Sequence, residues 1–336
     1  MTYKNLFTSI ALTALLASSL VSTQPVQAQE VTKLSVSPVS FDFGVNPGAT
    51  ETNVIKVTNS SDSELTLEAK VENILGADEN GKVQLTDKET EFSLSSWVTV
   101  TPSRFTLKPR EVRTISFSIK VPAKAEPGGH YGSVLIGTVA AASDTTGSSI
   151  VQQVGSLLLV RVAGEAREQG HISKFEPKSY SGTWDEVKSS DNTTTFLVPK
   201  NEDVAKSKTA SYFSSGPIAF QLTFKNDGNV HFQPQGFIRI TNIFGKTVAQ
   251  LPIYPRNIFP GVERDNAVIW SQEQMWGGYY KAEVVGIFGQ KNQVLGATTT
   301  FWAFPMSAAI TLGSLLILIV LLRKRLTKVI RVLIKG

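Results

Sequence analysis

Glu111-Val112-Arg113-Thr114-Ile115-Ser116-Phe117-Ser118-Ile119-Lys120-Val121 alternates polar and apolar residues along its length. Ile115, Phe117, Ile119 and Val121 fall on one face, and the period of two is that of a half-buried strand. Such a strand needs a second layer to cover its apolar face. Upstream, Val54, Ile55 and Val57 lead into the turn cluster Asn59-Ser60-Ser61-Asp62, after which Leu65, Leu67, Ala69 and Val71 alternate again. Downstream, Tyr131 to Val139 and Ser156 to Val162 read as further strands. Short strands separated by Gly, Pro, Asn and Asp, with no long helical periodicity between Gln29 and Trp302, predict a β-sandwich.

The second half repeats the plan. Ala219-Phe220-Gln221-Leu222-Thr223-Phe224 leads into Asn226-Asp227-Gly228-Asn229, and Phe237-Ile238-Arg239-Ile240 leads into Asn242-Ile243-Phe244-Gly245-Lys246. Pro127-Gly128-Gly129-His130-Tyr131 opens a strand in the first half, and Trp276-Gly277-Gly278-Tyr279-Tyr280 opens one in the second. Pro109 and Pro260 precede these glycine pairs at similar distances. The fold class expected is therefore all-β: two tandem immunoglobulin-like β-sandwich domains, 30–165 and 166–301, meeting near Gly164–Gly170. The polar stretch 181–215 reads as an exposed loop or insertion in the second.

On these turn and strand-edge residues the sequence resembles a known family. Asn46-Pro47-Gly48, Val57-Thr58-Asn59-Ser60-Ser61-Asp62, Leu107-Lys108-Pro109 and the Pro-Gly-Gly-His-Tyr strand are similar to the N-terminal, peptidoglycan-binding domain of the WxL-interacting surface proteins. They resemble pilus chaperones and major-sperm-protein domains more distantly. Phe224-Lys225-Asn226-Asp227-Gly228-Asn229-Val230-His231 and Pro260-Gly261 resemble a second immunoglobulin-like domain of membrane-anchored exported bacterial proteins. The resemblance implies a fold and a cell-surface setting; it transfers no set of binding residues.

Both ends carry membrane signals. Lys4, the apolar run Leu6 to Ala17, Pro25 and Val26-Gln27-Ala28 read as a secretory signal peptide, 1–28, cleaved after Ala28. Ala303 to Leu322 is apolar and free of charge, about 30 Å long as a helix, and reads as a single transmembrane helix, 303–322. Trp302 stands at its outer edge. Arg323-Lys324-Arg325 follows at once, which places the tail 323–336 in the cytoplasm and the sandwiches outside the cell membrane. Within the tail, Lys324, Lys328, Arg331 and Lys335 share one helical face opposite Leu326, Val329, Ile330 and Leu333. That stripe suits an anionic inner leaflet, or serves topology alone.

Charge and composition narrow the function. Of 33 Lys and Arg residues, Lys4 and the six tail residues Arg323, Lys324, Arg325, Lys328, Arg331 and Lys335 lie at the ends; setting these seven aside leaves 26 basic against 28 acidic residues. The formal +5 thus belongs to the termini, and no nucleic-acid partner is expected. There are no cysteines, which excludes disulfides, thiol catalysis, Cys-held metals and lipoprotein anchoring. His130, His171 and His231 stand singly in the sequence, so no metal site and no cofactor are expected. No G-x-S-x-G elbow, H-E-x-x-H or P-loop is present.

The expectation is a non-enzymatic surface module on a single-span anchor, contacting peptidoglycan, a surface polysaccharide or another surface protein. A membrane-tethered assembly factor or chaperone offering a sheet edge is the second reading, and an anchored hydrolase the third. In the aromatic segment Trp270 to Phe288, Trp270 and Tyr280 read as core. Trp276, ahead of Gly277-Gly278, is the one candidate ligand contact.

Overall fold

The computed structural model describes residues 34–78, 81–139, 152–200, 204, 207–272 and 278–335, of which 324–335 as backbone alone. The signal peptide 1–28 and Trp276 lie outside the described residues. The first half contributes β1 (Leu34–Ser37), β2 (Ser40–Val45), β3 (Thr50–Asn59), β4 (Leu65–Ala77), β5 (Val83–Thr86), β6 (Val98–Thr101), β7 (Arg104–Leu107), β8 (Val112–Lys120), β9 (Gly128–Thr138) and β10 (Gln153–Val162). A sheet ordered β1-β3-β8-β6 faces one ordered β2-β10-β9-β4-β5, with β7 also on β4. β8 buries Ile115, Phe117 and Ile119 against Leu67, Val134, Ile136, Leu158 and Val160, as its alternation requires. β1 and β2 are one segment that changes sheets at Pro38-Val39. β1 pairs antiparallel with β3, and β2 runs parallel to β10.

The second half contributes β11 (Gly170–Ser179), β12 (Trp184–Lys188), β13 (Thr195–Pro199), β14 (Tyr212–Phe213), β15 (Ile218–Asn226), β16 (Gln235–Asn242), β17 (Thr247–Pro252), β18 (Glu263–Trp270), β19 (Gly278–Phe288) and β20 (Gln293–Ala303). A sheet ordered β11-β15-β18 packs on one ordered β14-β20-β19-β16-β17. Phe220, Leu222, Phe224, Trp270, Tyr280 and Phe301 lie in the core between them. The all-β class and the two tandem sandwiches stand as read from the sequence. Within the polar stretch 181–215, residues 184–199 form a hairpin, β12 with β13, but the stretch read as an insertion ends too late: Tyr212–Phe213 is β14, paired with β20, and Phe213 lies in the core. Trp184 and Leu197 of the hairpin pack on Tyr180, Val204, Ala219 and Ile269. The hairpin covers Ala219 and Ile269 on the outer face of the β11-β15-β18 sheet, and further along that face Gln221 and Thr223 donate to the Asp265 carboxylate, so β15 is buried on both sides although its sequence alternates.

The internal repeat has a physical basis in two buried asparagines. Asn59 Nδ2 donates to the carbonyls of Ser63 and Lys108, and its Oδ1 accepts from the Ser61 N–H. Asn226 Nδ2 donates to the carbonyls of Val230 and Ile258, and its Oδ1 accepts from the Gly228 N–H. The backbone N–H of Asn59 reaches the Glu111 carbonyl, and that of Asn226 the Val262 carbonyl. Each asparagine thus closes the turn after its strand and ties it to the Pro109 or Pro260 turn of the same sandwich; at Asn226 it also satisfies two carbonyls that burial would otherwise orphan.

A single helix, α1 (Met306–Lys335), follows β20. Its Met306–Arg323 window has a mean hydropathy of 2.2 and is long and apolar enough to cross a membrane. The helix starts later than the apolar run suggested. Ala303 is the last, fully buried residue of β20, and Phe304-Pro305 is the link. Pro305, which has no N–H to donate, accepts at its carbonyl from Ala308 and Ala309. α1 continues without a break through Arg323 to Lys335. Arg323 is exposed, and the side chains of Lys324, Arg325, Lys328, Arg331 and Lys335 lie outside the described residues.

Candidate functional site at the junction of the two sandwiches

Gly128-Gly129-His130-Tyr131 starts β9 at the end of the first sandwich that meets the second. A side chain at position 129 would put its Cβ 1.8 Å from the Tyr131 hydroxyl. Glycine there leaves room for the ring to turn toward the second sandwich. Tyr131 packs edge-on against Phe259, with centroids 4.9 Å apart, and shares an apolar cluster with Ile74, Ala77 and Leu159. Its hydroxyl accepts the backbone N–H of His231 at 2.7 Å and lies 3.3 Å from His231 Nδ1. His231 Nε2 lies 3.2 Å from Asp42 Oδ2. One tautomer satisfies both ring contacts: Nε2–H donates to Asp42, and Nδ1 accepts from the tyrosine. Burial pushes the Tyr131 hydroxyl well above its ordinary pKa, so it stays protonated. The His231 hydrogen bond holds the Asp42 carboxyl below its ordinary value against partial desolvation, and Arg161 adds to this.

Arg161 closes the other side. Nη1 donates to Glu168 Oε1 at 3.1 Å, and Nη2 to the His231 carbonyl at 3.3 Å. Glu168 belongs to the connection between β10 and β11 and is nearly buried. Its carboxylate also accepts the N–H of Gln290 at 2.9 Å, at the β19–β20 turn. Asn229 makes a second clasp. Its carbonyl accepts from Gly129 and its Oδ1 from the Arg167 N–H, while Nδ2 donates to the Pro127 carbonyl. The two sandwiches are thus fixed through apolar packing, the Arg161–Glu168 ion pair and a set of hydrogen bonds, most of them between a side chain and the backbone.

Between these clasps lies a cleft of about 290 Å³. It is lined by Asp42 and Gly44 of β2, by Arg161 and His231, and by Gln233, Gln235, Asn257 and Gln290 of the second sandwich. An amide-rich lining with one carboxylate can exchange hydrogen bonds with hydroxyls, amides and carboxylates of a ligand. Among the described residues no group of three His, Asp or Glu could hold a metal ion.

His231 and Gly129 stood in sequence motifs, but Asp42, Arg161 and Glu168 did not. They are single residues far apart in the chain, and only the packing of β2, β10 and the connection on the second sandwich brings them together. His130, with its ring nitrogens near the Ser93 and Glu126 carbonyls, and His171, beside Asp227, lie outside the cleft lining. Trp276 lies outside the described residues.

The fold and junction define a two-sandwich β-protein followed by one apolar helix. Residues 25–137 match the model of the WxL Interacting Protein, peptidoglycan binding domain. The first sandwich through β9 therefore resembles that domain, as its turn residues suggested. Among solved structures the chain is similar to the class 5 fimbriae chaperone CfaA, at 13% identity and a TM-score of 0.36, over 80% of this chain and 99% of that one. It is similar also to the E. coli chaperone DraB, at 11% identity and a TM-score of 0.34, over 81% and 96%. A third likeness is to the Salmonella enterica SafA pilin in complex with the SafB chaperone, at 10% and 0.34, over 82% and 98%. At these scores the likeness says nothing of what the chain binds. No curated protein matches.

Proposed function

We propose that this chain is a non-enzymatic binding module of the bacterial cell surface. The two sandwiches stand outside the cell, α1 is their single-pass anchor, and the first sandwich contacts peptidoglycan. The observation that carries the reading is the match of residues 25–137 to a peptidoglycan-binding domain. The cleft is the proposed contact. It joins Asp42 and Gly44 of the matched stretch to amides of the second sandwich, and peptidoglycan presents the hydroxyls, amides and carboxylates such a lining pairs with. Trp276 is a second proposed contact. The six basic residues after Leu322 support a cytoplasmic tail.

The assembly-factor reading gains little from the edges of the first sandwich, the half that resembles pilus chaperones in its turn residues. The edges β1, β5 and β6 of the first sandwich have 4 residues each and β2 has 6, and β10 is paired by β2 along Leu157–Val162. Sedimentation of residues 29–302 with purified peptidoglycan tests the proposal. Co-sedimentation that persists at moderate salt is expected, because the exported part is near neutral. Failure to bind wall material, with the fragment folded, would overturn it.

A further inference from the structure

The membrane end of the second sandwich carries more apolar surface than an anchor alone requires. The β20 register pairs Tyr279 with Trp302 and Gly278 with Ala303, three residues before α1. On the next strand, Asn242 pairs with Tyr280. The β16–β17 turn, Ile243-Phe244-Gly245-Lys246, therefore projects past Asn242 to the level of Trp302 and Ala303, at the same end of the sheet. Phe244 is 89% exposed and Ile243 59%. Among the described residues no large apolar side chain of either sandwich is more exposed than Phe244. Exposed Lys246 follows it.

A ring cluster stands on the same rim. Trp302 lies on the outer face of the sheet, 53% exposed, with its ring centroid 5.4 Å from that of Tyr279. Tyr212 of β14 pairs with Trp302, and its hydroxyl donates to the Phe304 carbonyl at 2.7 Å. The Trp302 N–H reaches the Ser211 carbonyl, and the Phe304 N–H reaches the Phe213 carbonyl. The link between sandwich and helix is thus two residues long and held by hydrogen bonds. It is not a loose tether.

We propose that this rim is a lipid-contact surface: Ile243 and Phe244 at the hairpin tip, with Tyr212, Tyr279 and Trp302, seat the second sandwich on the outer leaflet beside its own helix. The proposal rests on the reading of α1 as a membrane span. The occupant is the bilayer because the rim is continuous with that helix. Rings with a polar edge suit the headgroup layer, and a protruding phenylalanine followed by a lysine suits an acyl boundary beneath phosphates. Seated in this way, the sandwich holds the junction cleft at a fixed height and direction above the membrane.

The chain has no cysteine, so single substitutions can be labelled cleanly. The full chain carrying Phe244→Cys, Val294→Cys or Leu316→Cys would be labelled with an environment-sensitive fluorophore. Each would be reconstituted in vesicles of phosphatidylcholine and phosphatidylglycerol containing nitroxide lipids. Val294 is 83% exposed and lies at the opposite end of the sheet. Headgroup nitroxide is expected to quench the label at 244 several-fold more than at 294, and mid-chain nitroxide to quench the label at 316. Equal quenching at 244 and 294, with 316 quenched, would overturn the lipid contact and leave the anchor standing. An unquenched 316 would overturn the span on which the proposal rests. A label at 244 shielded from aqueous iodide but untouched by lipid nitroxide would assign the tip to a protein contact and overturn the proposal.

Discussion

The hydroxyl of Tyr131 lies 2.7 Å from the backbone nitrogen of His231, a hundred positions further along the chain. This hydrogen bond joins the strand that opens with Gly128-Gly129 to the residues that follow the Asn226 turn. Two motifs that look like local turn chemistry are therefore halves of one interdomain contact. Tyr131→Phe keeps the ring on Phe259 but leaves the His231 N–H without its acceptor. It should destabilise residues 29–302 by about 1–3 kcal/mol. Gly129→Ala should act in the same direction, since its Cβ would displace the hydroxyl. Chemical denaturation reads both, and an unchanged midpoint for Tyr131→Phe would mean the contact is not formed in solution.

The Asp42–His231 pair gives the junction a pH dependence. The folded carboxyl binds its proton less readily than the unfolded one, because the His231 N–H bonds the charged form. Its stabilising contribution is complete above the unfolded carboxylate value and is lost as pH falls through the lowered folded value. Asp42 is 57% exposed, so solvent screens the contribution. Thermal unfolding of residues 29–302 followed from neutral to strongly acid pH should show an acid-labile component that Asp42→Asn lacks. Parallel curves for the two proteins would remove Asp42 from the account.

The two asparagine corners predict matched consequences in the two sandwiches. Asn226→Ala strips donors from two buried carbonyls and an acceptor from one N–H, and Asn59→Ala does the same to two part-buried carbonyls and the buried Ser61 N–H, so the Asn226 loss should be the larger. A loss of about 1–3 kcal/mol per unsatisfied buried group is the scale to expect. Hydrogen exchange should localise the loss to the sandwich carrying the substitution, around Ser61 and Lys108 in one case and Gly228 and Ile258 in the other. A loss confined to the other sandwich would contradict the equivalence.

Much of the fold was legible in the sequence. Strand alternation in β8 showed which residues face inward, because burial on one face leaves a period of two. The paired turns were legible because asparagine, glycine and proline act on their own neighbourhood. The helix start was misplaced by three residues, since Ala303 is as apolar in a buried strand as in a membrane span. The hairpin over Ala219 and Ile269 was read as a loop or insertion, because Trp184-Asp185-Glu186-Val187-Lys188 has too few apolar residues to announce a strand. The cleft was invisible for another reason. Asp42, Arg161, Glu168 and Gln290 are ordinary surface residue types until β2, β10, the connection and the β19–β20 turn converge.

Gly44 offers a way to ask whether the cleft binds wall material. A Cβ added there meets no other atom within 4 Å, so a large side chain can enter the cleft without strain at its base. Gly44→Trp should leave thermal stability nearly unchanged while filling the space between Asp42 and the amides of Gln233 and Gln235. If peptidoglycan occupies the cleft, its affinity should fall at least about tenfold, which is about 1.4 kcal/mol. Trp276→Ala in the same sedimentation assay separates the two proposed contacts. A loss of roughly 1–2 kcal/mol there, with Gly44→Trp binding normally, would move the site from the cleft to the segment before β19. Normal binding by both variants would place the wall contact elsewhere on the first sandwich.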